Sequence, residues 1–414
     1  MRVVSAAEAV AAIPDGSTVI FPGGCANPTD FYAAFSAGVE RFSKLTVMSG
    51  FSFGKYEYLH RGLGEHFRFV PWQASAQLRH LFKENDPRKI GFLPLRLQDL
   101  PKVIHRNGPV QPDVVIVQTS RPTPEGDVSL GISVGANPEL INSARLVIAE
   151  MNANMPVLGG ASRIPLSKIH FATESHTPLG VYRAPAAQPR DQQIVEHVLN
   201  LVPDAAWVQL GIGAVPDRVL GRLNEKRGIN LCSGLLTGAL QAFFDTARHT
   251  PEVAVGELAG ETAFYEFCGA NAERLRVISM SETHNVAKLA RLPKFVSINS
   301  AVEIDLQGQS NGETLGALQI SGVGGSMDYV EAAVQSEGGI SIIALPATTD
   351  DGKHSKIVAR LAEGAPVTTP RFAVDCVVTE FGVAHLRGKD LWRRREALIA
   401  IAHPDFRDAL ANAR

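Results

Sequence analysis

The chain has 414 residues, of which 45% are hydrophobic and 20% charged, and its formal net charge is −2. A chain of this length exceeds one ordinary hydrophobic core, so these values predict a globular protein of two domains. The near-neutral charge, without any basic cluster, argues against nucleic acid and anionic membrane surfaces as partners, and no apolar run approaches the ~20 residues that span a bilayer.

In the first half, apolar runs alternate with stretches of helical periodicity. Strands are predicted at residues 17–21, 45–49, 67–70, 90–93, 113–119 and 146–150. Helices are predicted at residues 5–13, 29–42, 75–83 and 138–143. This alternation is typical of a parallel sheet with right-handed crossovers.

A linker is predicted at residues 177–189, which are rich in Pro and Ala and lack clear periodicity. The predicted fold class is therefore α/β, with two open, mainly parallel-sheet domains at residues 1–185 and 190–414. Strands of the second domain are expected at residues 207–210 and 229–231 and around residues 253, 277, 296, 341 and 374. Its helices are expected at residues 192–201, 327–335 and 392–401 and after Pro216.

The strand predicted at residues 229–231 leads to Cys232-Ser233-Gly234. We expect these three residues in a loop at the carboxyl end of the sheet, where parallel α/β folds bind their ligands. The cysteines of the chain are widely separated and form no CxxC or Cys/His spacing, so neither a disulfide framework nor a metal site is predicted. Reduced thiols, and an amino-terminal stretch without a signal-peptide pattern, favour a cytoplasmic location.

Gly23-Gly24 follows the strand at 17–21, and the second half has two glycine loops: Gly211-Ile212-Gly213 after the strand at 207–210, and SGVGGS at 321–326 before a helix. Backbone N–H groups in such loops hold phosphates or the oxyanion of acyl transfer, although a tight turn alone also needs glycine. Neither loop fits the dinucleotide GxGxxG or the Walker pattern, and no GxSxG or HExxH motif occurs. Nicotinamide and nucleoside triphosphate functions are therefore not supported.

Ordered motifs along nearly the whole chain resemble the acetyl-CoA hydrolase/transferase family, which includes 4-hydroxybutyrate and butyryl-CoA:acetate CoA-transferases. The motifs of the first half are SAAEAV at 5–10, PGGCANPT at 22–29 and IAEMNANMP at 148–156. The motifs of the second half are LGIGAVPDRVL at 210–220, INSAVEIDLQGQ at 298–309, SGVGG at 321–325, ALPAT at 344–348, VVTEFGVAHLRGK at 377–389 and IAHPDFR at 401–407.

This resemblance implies two similar domains of the CoA-transferase type, an active site in the cleft between them, and a homodimer. It implies coenzyme A, bound as an acyl-CoA, and a small carboxylate or other acyl acceptor as partners, with no metal. In such a reaction a glutamate attacks the thioester, passes through an anhydride and becomes a glutamyl-CoA thioester, which a second carboxylate resolves. The residues implied to hold the oxyanion or the CoA are Gly23, Gly24, Gly322, Val323, Gly324, Gly325, Ser326, Asn299 and Lys356.

The chain departs from this family at the nucleophile. Family members read IHTEM or IHSEM where this chain reads LCSGL at 231–235, and matching the flanks puts the family glutamate on Gly234. The family's SGVGGQ also becomes SGVGGS, with Ser326 in the last position. Because glycine has no carboxylate, either another group takes over or the usual glutamyl-CoA route is lost.

The catalytic candidates that remain are Cys232, Ser233 and Glu257. A Cys232 thiolate could accept an acyl group from CoA, although a buried inert thiol is the other interpretation. Glu257 and Glu261, in GELAGE, could supply a carboxylate, although solvated or helix-capping carboxylates are the alternative. Histidines such as His284 are interpreted as caps or half-buried polar groups.

Three functions follow from these residues. The leading hypothesis is acyl-CoA-dependent acyl or CoA transfer, by a transferase or hydrolase that does not use the usual glutamyl-CoA route. The alternatives are a Cys232-dependent lyase or decarboxylase that acts on an acyl-CoA, and a non-catalytic CoA-binding protein.

Overall fold

The computed structural model of the protein describes residues 1–53, 57–186 and 188–413. The chain divides into two compact units. Unit 1 comprises Met1–Arg183 and Glu252–Thr283, and unit 2 comprises Ala184–Pro251 and His284–Arg414. The segment Glu252–Thr283 therefore belongs by its contacts to unit 1, whereas the division predicted from the sequence assigns it to the second domain. The domain boundaries at 1–185 and 190–414 stay a prediction.

The strands follow in chain order. Those up to residue 175 are β1 (Arg2–Val3), β2 (Thr18–Phe21), β3 (Leu45–Ser49), β4 (Phe67–Phe69), β5 (Val114–Thr119), β6 (Asp127–Ser129), β7 (Leu146–Asn152), β8 (Arg163–Pro165) and β9 (Phe171–Ser175). The later strands are β10 (Trp207–Leu210), β11 (Asn230–Thr237), β12 (Val253–Ala259), β13 (Arg276–Val277), β14 (Phe295–Asn299), β15 (Glu303–Asp305), β16 (Ser310–Asn311), β17 (Thr314–Leu315), β18 (Leu318–Gln319), β19 (Ile340–Ala344), β20 (Ile357–Val358), β21 (Cys376–Thr379) and β22 (Gly382–His385).

The α-helices lie between these strands. They are α1 (Ala6–Ala11), α2 (Thr29–Ala37), α3 (Arg79–Glu84), α4 (Leu100–Val103), α5 (Asn137–Ser143), α6 (Pro189–Leu201), α7 (Ala214–Arg222), α8 (Ala239–Thr246), α9 (Thr262–Ala270), α10 (Met280–Thr283), α11 (Val286–Leu289), α12 (Ser326–Gln335), α13 (Leu391–Ala400) and α14 (Pro404–Asn412). Within the described ranges, no helix is both long enough and apolar enough to cross a bilayer.

The main sheet of unit 1 is parallel, with its strands in the order β1-β9-β7-β5-β2-β3-β4. Every residue of the central strand β5, VVIVQT, is buried, as a parallel strand covered on both faces requires. On one face Phe21 packs against Phe35 and Tyr58, with ring centroids 5.4 and 4.8 Å away. Strands β12 and β13 of this unit pair with each other, also in parallel.

In unit 2, six strands are neighbours in the order β11-β10-β14-β19-β21-β22. All of these pairs are parallel except β21 with β22. The core of the unit includes Val330 on α12, Ile343 on β19 and Leu398 on α13, all essentially without exposure. The α/β class with mainly parallel sheets, predicted from the alternating patterns, is thus confirmed.

One predicted strand is wrong. Residues 90–93 form no strand, and Ile90 makes only an isolated bridge to Phe69. The ladder starts, because Phe69 N–H donates to the Lys89 carbonyl (2.9 Å) and Gly91 N–H donates to the Phe69 carbonyl (2.8 Å). The next donor on the Phe69 side would be Pro71, which has no N–H, so only one further bond forms, from Leu93 N–H to the Pro71 carbonyl (3.0 Å).

The loop predicted at Cys232-Ser233-Gly234 is also wrong. Strand β11 runs through these residues and ends only at Thr237. A glycine inside a strand can mark the place where another group approaches the backbone closely. Gly234 is such a glycine, because the His284 ring lies against it.

Candidate active site

In unit 1, the Gly23-Gly24 loop follows β2 and lies against residues 51–53. Gly24 N–H donates to the Phe51 carbonyl (2.7 Å), and Phe53 N–H donates to the Gly24 carbonyl (3.0 Å). A Cβ atom at Gly23 would lie 2.8 Å from the Phe51 oxygen, so this close approach needs glycine. Gly24 itself has φ +63°, which glycine adopts without strain.

The Glu257 side chain, on β12, extends to the same loop. A Cβ atom at Gly24 would lie 2.6 Å from Glu257 Oε2, and a Cβ atom at Gly135 would lie 2.5 Å from Glu257 Oε1. Backbone hydrogen bonds hold strand β12 beside the loop at 132–135: Gly135 N–H donates to the Gly256 carbonyl (3.2 Å), and Leu258 N–H donates to the Ile132 carbonyl (2.9 Å). The carboxylate therefore lies between two glycine backbones, an arrangement that we call the carboxylate cradle.

The electrostatic state of Glu257 differs from that of an ordinary surface glutamate. Burial raises its pKa from 4.5 to about 7, although the residue as a whole is half-buried rather than fully enclosed. In the described part of the chain, no side chain or backbone group makes a hydrogen bond to this carboxylate. A desolvated carboxyl group that has no partner and is reachable from one side is a candidate for chemistry.

Glu150 provides a contrast within the same unit. Burial also raises its pKa to about 7. Its carboxylate, however, accepts hydrogen bonds from Phe31 N–H (2.8 Å) and from the Gln118 amide (3.0 Å), and the residue is fully buried. Glu150 therefore holds the start of helix α2 in place, whereas Glu257 has no comparable structural task.

Two neighbours of Glu257 are less suited to nucleophilic chemistry. Burial raises the pKa of the Cys25 thiol to about 12, so this cysteine stays protonated at neutral pH. Glu261 is exposed and forms an ion pair with Arg183. It is also the N-cap residue of α9, which matches the solvated or capping alternative considered for it.

In unit 2, strand β11 carries Cys232, Ser233 and Gly234. Cys232 is buried, with 5% of its surface exposed. The Ser233 hydroxyl is 1% exposed and lies 3.0 Å from the carbonyl oxygens of both Leu210 and Leu235, to which it donates. The hydroxyl that could have served as a nucleophile is thus engaged by the backbone.

Gly234 faces the imidazole ring of His284. A Cβ atom at Gly234 would lie 2.6 Å from His284 Cε1 and 2.8 Å from the Tyr329 hydroxyl. A Cβ atom at Gly325 would lie 2.4 Å from His284 Nε2. The ring therefore fills the space beside both glycines, including the space that a side chain at position 234 would need.

His284 is held in this place as a neutral ring. It is 4% exposed, and burial lowers its pKa to about 3. Its Nε2 atom lies 3.2 Å from the hydroxyl of Tyr329, which is on α12. The interpretation of His284 as a cap or half-buried group is therefore wrong, because the ring is fully enclosed between Gly234, Gly325 and Tyr329.

The other residues implied by the resemblance are distributed over unit 2. Ser326 is the first residue of α12, directly after the loop 322–325, in which Gly324 has φ +64°. Asn299, at the end of β14, exchanges amide hydrogen bonds with Gln209 (3.0 and 3.3 Å), so its side chain is occupied. Lys356 is half-buried, and burial lowers its pKa.

The structure thus brings together some of the predicted site residues. Gly24 meets Glu257 in unit 1, and Gly325 meets the ring that covers Gly234 in unit 2. The sequence reasoning missed Gly135, His284 and Tyr329. A glycine at 135, in a loop that also contains Gly131, was a usable signal, whereas nothing local pointed to His284. Among the described residues, no group of three or more His, Cys, Asp or Glu side chains could hold a metal ion.

Comparisons with known proteins agree with the motifs. Family models described as the acetyl-CoA hydrolase/transferase N-terminal and C-terminal domains match residues 1–181 and 260–414. The 4-hydroxybutyrate coenzyme A transferase of Clostridium kluyveri is 35% identical over 420 residues, which cover 99% of this chain and 96% of that protein. The butyryl-CoA:acetate CoA-transferase of Anaerostipes caccae is 33% identical over 370 residues, covering 84% of this chain and 80% of that protein.

A solved structure gives the same result for the fold. The crystal structure of a 4-hydroxybutyrate CoA-transferase from Porphyromonas gingivalis is similar to this chain with a TM-score of 0.81 and 30% identity, covering 99% of this chain and 96% of that one. The resemblance inferred from the motifs is thereby confirmed. The chain belongs to the acetyl-CoA hydrolase/transferase family and is an enzyme of the CoA-transferase/hydrolase kind.

Proposed function

We propose that this enzyme transfers CoA between an acyl-CoA and a small carboxylate, or hydrolyses the acyl-CoA, with Glu257 as the nucleophile in place of the glutamate that the family resemblance puts at position 234. One observation carries the proposal: the Glu257 carboxylate lies between the Gly24 and Gly135 backbones, desolvated and without a hydrogen bond among the described residues. A desolvated carboxylate is a stronger nucleophile than a hydrated one, because no water shell has to be removed before attack.

The reaction consists of two successive exchanges, first of the acyl group and then of CoA, on the Glu257 carboxylate. A carboxylate oxygen of Glu257 attacks the thioester carbonyl, and the CoA thiolate leaves, which gives a mixed anhydride. The thiolate then attacks the glutamyl carbonyl and releases the first acyl group as a carboxylate, leaving a glutamyl-CoA thioester. An acceptor carboxylate reverses both steps and leaves with CoA, whereas attack by water gives hydrolysis.

Backbone amides are suited to stabilising the oxyanions formed in these steps. We assign that role to the Gly23-Gly24 loop, which lies beside Glu257 in unit 1, and we keep the loop at 322–325, Ser326 and Lys356 as proposed CoA contacts. Asn299 is a weaker candidate, since its amide already pairs with Gln209. A homodimer and a cytoplasmic location remain part of the proposal.

The alternatives have less structural support. The Ser233 hydroxyl is engaged by two carbonyl groups, and Cys232 is buried inside a strand rather than presented on a loop. A Cys232-dependent lyase or decarboxylase, and a non-catalytic CoA-binding protein, are therefore outcomes of the tests rather than parallel proposals.

The covalent intermediate is the sharpest test. Incubation with an acyl-CoA, followed by borohydride reduction and peptide mass spectrometry, is expected to show a modified glutamate at position 257. The Glu261→Gln variant, which changes an exposed carboxylate on the same segment, should give the same adduct. Modification of Cys232 instead, or turnover without any adduct on residue 257, would refute the assignment.

The pH profile gives a second expected result. Only the ionised carboxylate attacks, so kcat/KM should fall about tenfold for each pH unit below about 7 and level off above it. An ordinary glutamate with a pKa of 4.5 would leave the rate flat over the same range. Stopped assays from about pH 5.5 to about pH 8.5 decide between the two shapes.

The same raised pKa predicts a stability difference. The native state favours protonated Glu257 more than the unfolded state does, so the native protein should lose stability relative to the Glu257→Gln variant between pH 4.5 and about 7. Above that window the difference should stay constant. Thermal unfolding of both proteins across this pH range measures it, and Glu150 does not interfere because both proteins contain it.

A further inference from the structure

Three half-buried aromatic rings of unit 1 contact one another near the carboxylate cradle. The Phe51 and Phe53 ring centroids are 4.8 Å apart and nearly perpendicular, and Phe53 and Tyr182 are also 4.8 Å apart, with their planes tilted by 59°. We call Phe51, Phe53 and Tyr182 the aromatic cluster. All three residues are partly accessible, unlike Phe21, Phe31 and Phe35, which are fully buried in the core of the same unit.

Backbone hydrogen bonds attach the aromatic cluster to both segments that form the cradle. Phe51 and Phe53 pair with Gly24, whose backbone touches the Glu257 carboxylate. Tyr182 N–H donates to the Gly260 carbonyl (3.0 Å), and Gly260 lies on the segment that carries Glu257. The backbones of all three residues are therefore attached to the two segments that form the cradle.

The aromatic cluster is apolar apart from the hydroxyl group of Tyr182. The cation next to it in the chain, Arg183, is paired with Glu261 and so is not presented to a ligand as a single charge. Contiguous accessible aromatic surface beside a few polar groups is typical of a small-molecule site. A flat ring would find edge and face contacts there, worth about 0.5–1.5 kcal/mol beyond the buried area.

We propose that the aromatic cluster is the acyl subsite of this enzyme, and that its acyl substrates carry an aromatic ring, as benzoyl-CoA and phenylacetyl-CoA do. This inference rests on the proposed role of Glu257, since the acyl group must lie next to the nucleophile. The contacts described above give the specificity: a ring gains aromatic contacts that an acetyl group cannot make.

Competition between two thioesters tests the inference. The kcat/KM for phenylacetyl-CoA is expected to exceed that for acetyl-CoA by about tenfold or more. Phe53→Leu keeps an apolar side chain but removes the ring, and it should reduce this ratio by about threefold to tenfold. The control is Phe92→Leu, which changes a half-buried ring that pairs with Phe82 instead.

The outcomes separate the two proposals. Turnover that does not depend on Glu257 contradicts the proposed function. In that case calorimetry, which measures the dissociation constants of phenylacetyl-CoA and acetyl-CoA, tests the acyl specificity on its own. Tighter binding of phenylacetyl-CoA that both Phe53→Leu and Tyr182→Leu weaken supports the subsite. A preference for acetyl-CoA, or a ratio that neither variant changes, overturns it.

Discussion

Replacing Glu257 with glutamine is expected to lower kcat/KM for acyl-CoA by about 10³-fold or more, since removal of a nucleophile costs at least this much in comparable covalent enzymes. Glutamine has nearly the same shape, so the cradle between Gly24 and Gly135 stays filled. The amide cannot attack the thioester to form an anhydride. Steady-state assays at a pH above 7, where the native carboxylate is ionised, measure the full effect.

Two control variants make this result interpretable. Glu261→Gln should retain activity within about twofold, because exposed ion pairs contribute little. Cys232→Ala should also retain most activity. If Cys232→Ala abolishes turnover and Glu257→Gln does not, the thiol-dependent alternative is right and the carboxylate assignment is wrong. If thermal unfolding above pH 7 shows the expected gain in stability of Glu257→Gln, misfolding is excluded as the cause of its lost activity.

Introducing a glutamate at position 234 is expected to destabilise the protein. The new Cβ atom alone would lie 2.6 Å from His284 Cε1 and 2.8 Å from the Tyr329 hydroxyl. Overpacking of this kind costs about 1–3 kcal/mol. Denaturant unfolding of Gly234→Glu should therefore show a lower free energy of unfolding than the native protein.

A double variant tests whether the imidazole is the cause. His284→Ala removes the ring, so Gly234→Glu should cost less in that background, with a coupling energy of about 0.5–3 kcal/mol. The matched control is Gly221→Glu, because a Cβ atom at Gly221 on helix α7 meets nothing within 4 Å. That change should leave stability unaltered or slightly raised. Equal costs in both backgrounds would show that His284 does not close the position.

The elements that were predicted well are those whose patterns are local. Strand β5 is a continuous apolar run, and helix α1 begins with a capping box in which Ser5 and Glu8 bond each other's backbone, so neighbouring residues alone reveal them. The strand predicted at 90–93 is wrong because the segment that it pairs with, at Phe69, has Pro71 at the next donor position. The sequence of residues 90–93 alone does not reveal this.

The candidate site was predicted only in part for the same reason. Glycine loops are visible in a sequence, and Glu257 could be named as a spare carboxylate. Its position between Gly24 and Gly135 depends on three segments far apart in the chain. His284 illustrates the limit more clearly, since its burial against Gly234 and Gly325 leaves no trace in the residues around it.

The packing of His284 against two glycines has a consequence for how this chain can change over time. Substitutions at 234 and at 325 both depend on residue 284, because its imidazole fills the space beside both glycines. With the imidazole in place, a side chain at 234 meets the ring, so a smaller residue at 284 has to come first if a carboxylate at 234 is to cost little. The order of substitutions, and not only their number, therefore decides which side chains position 234 tolerates.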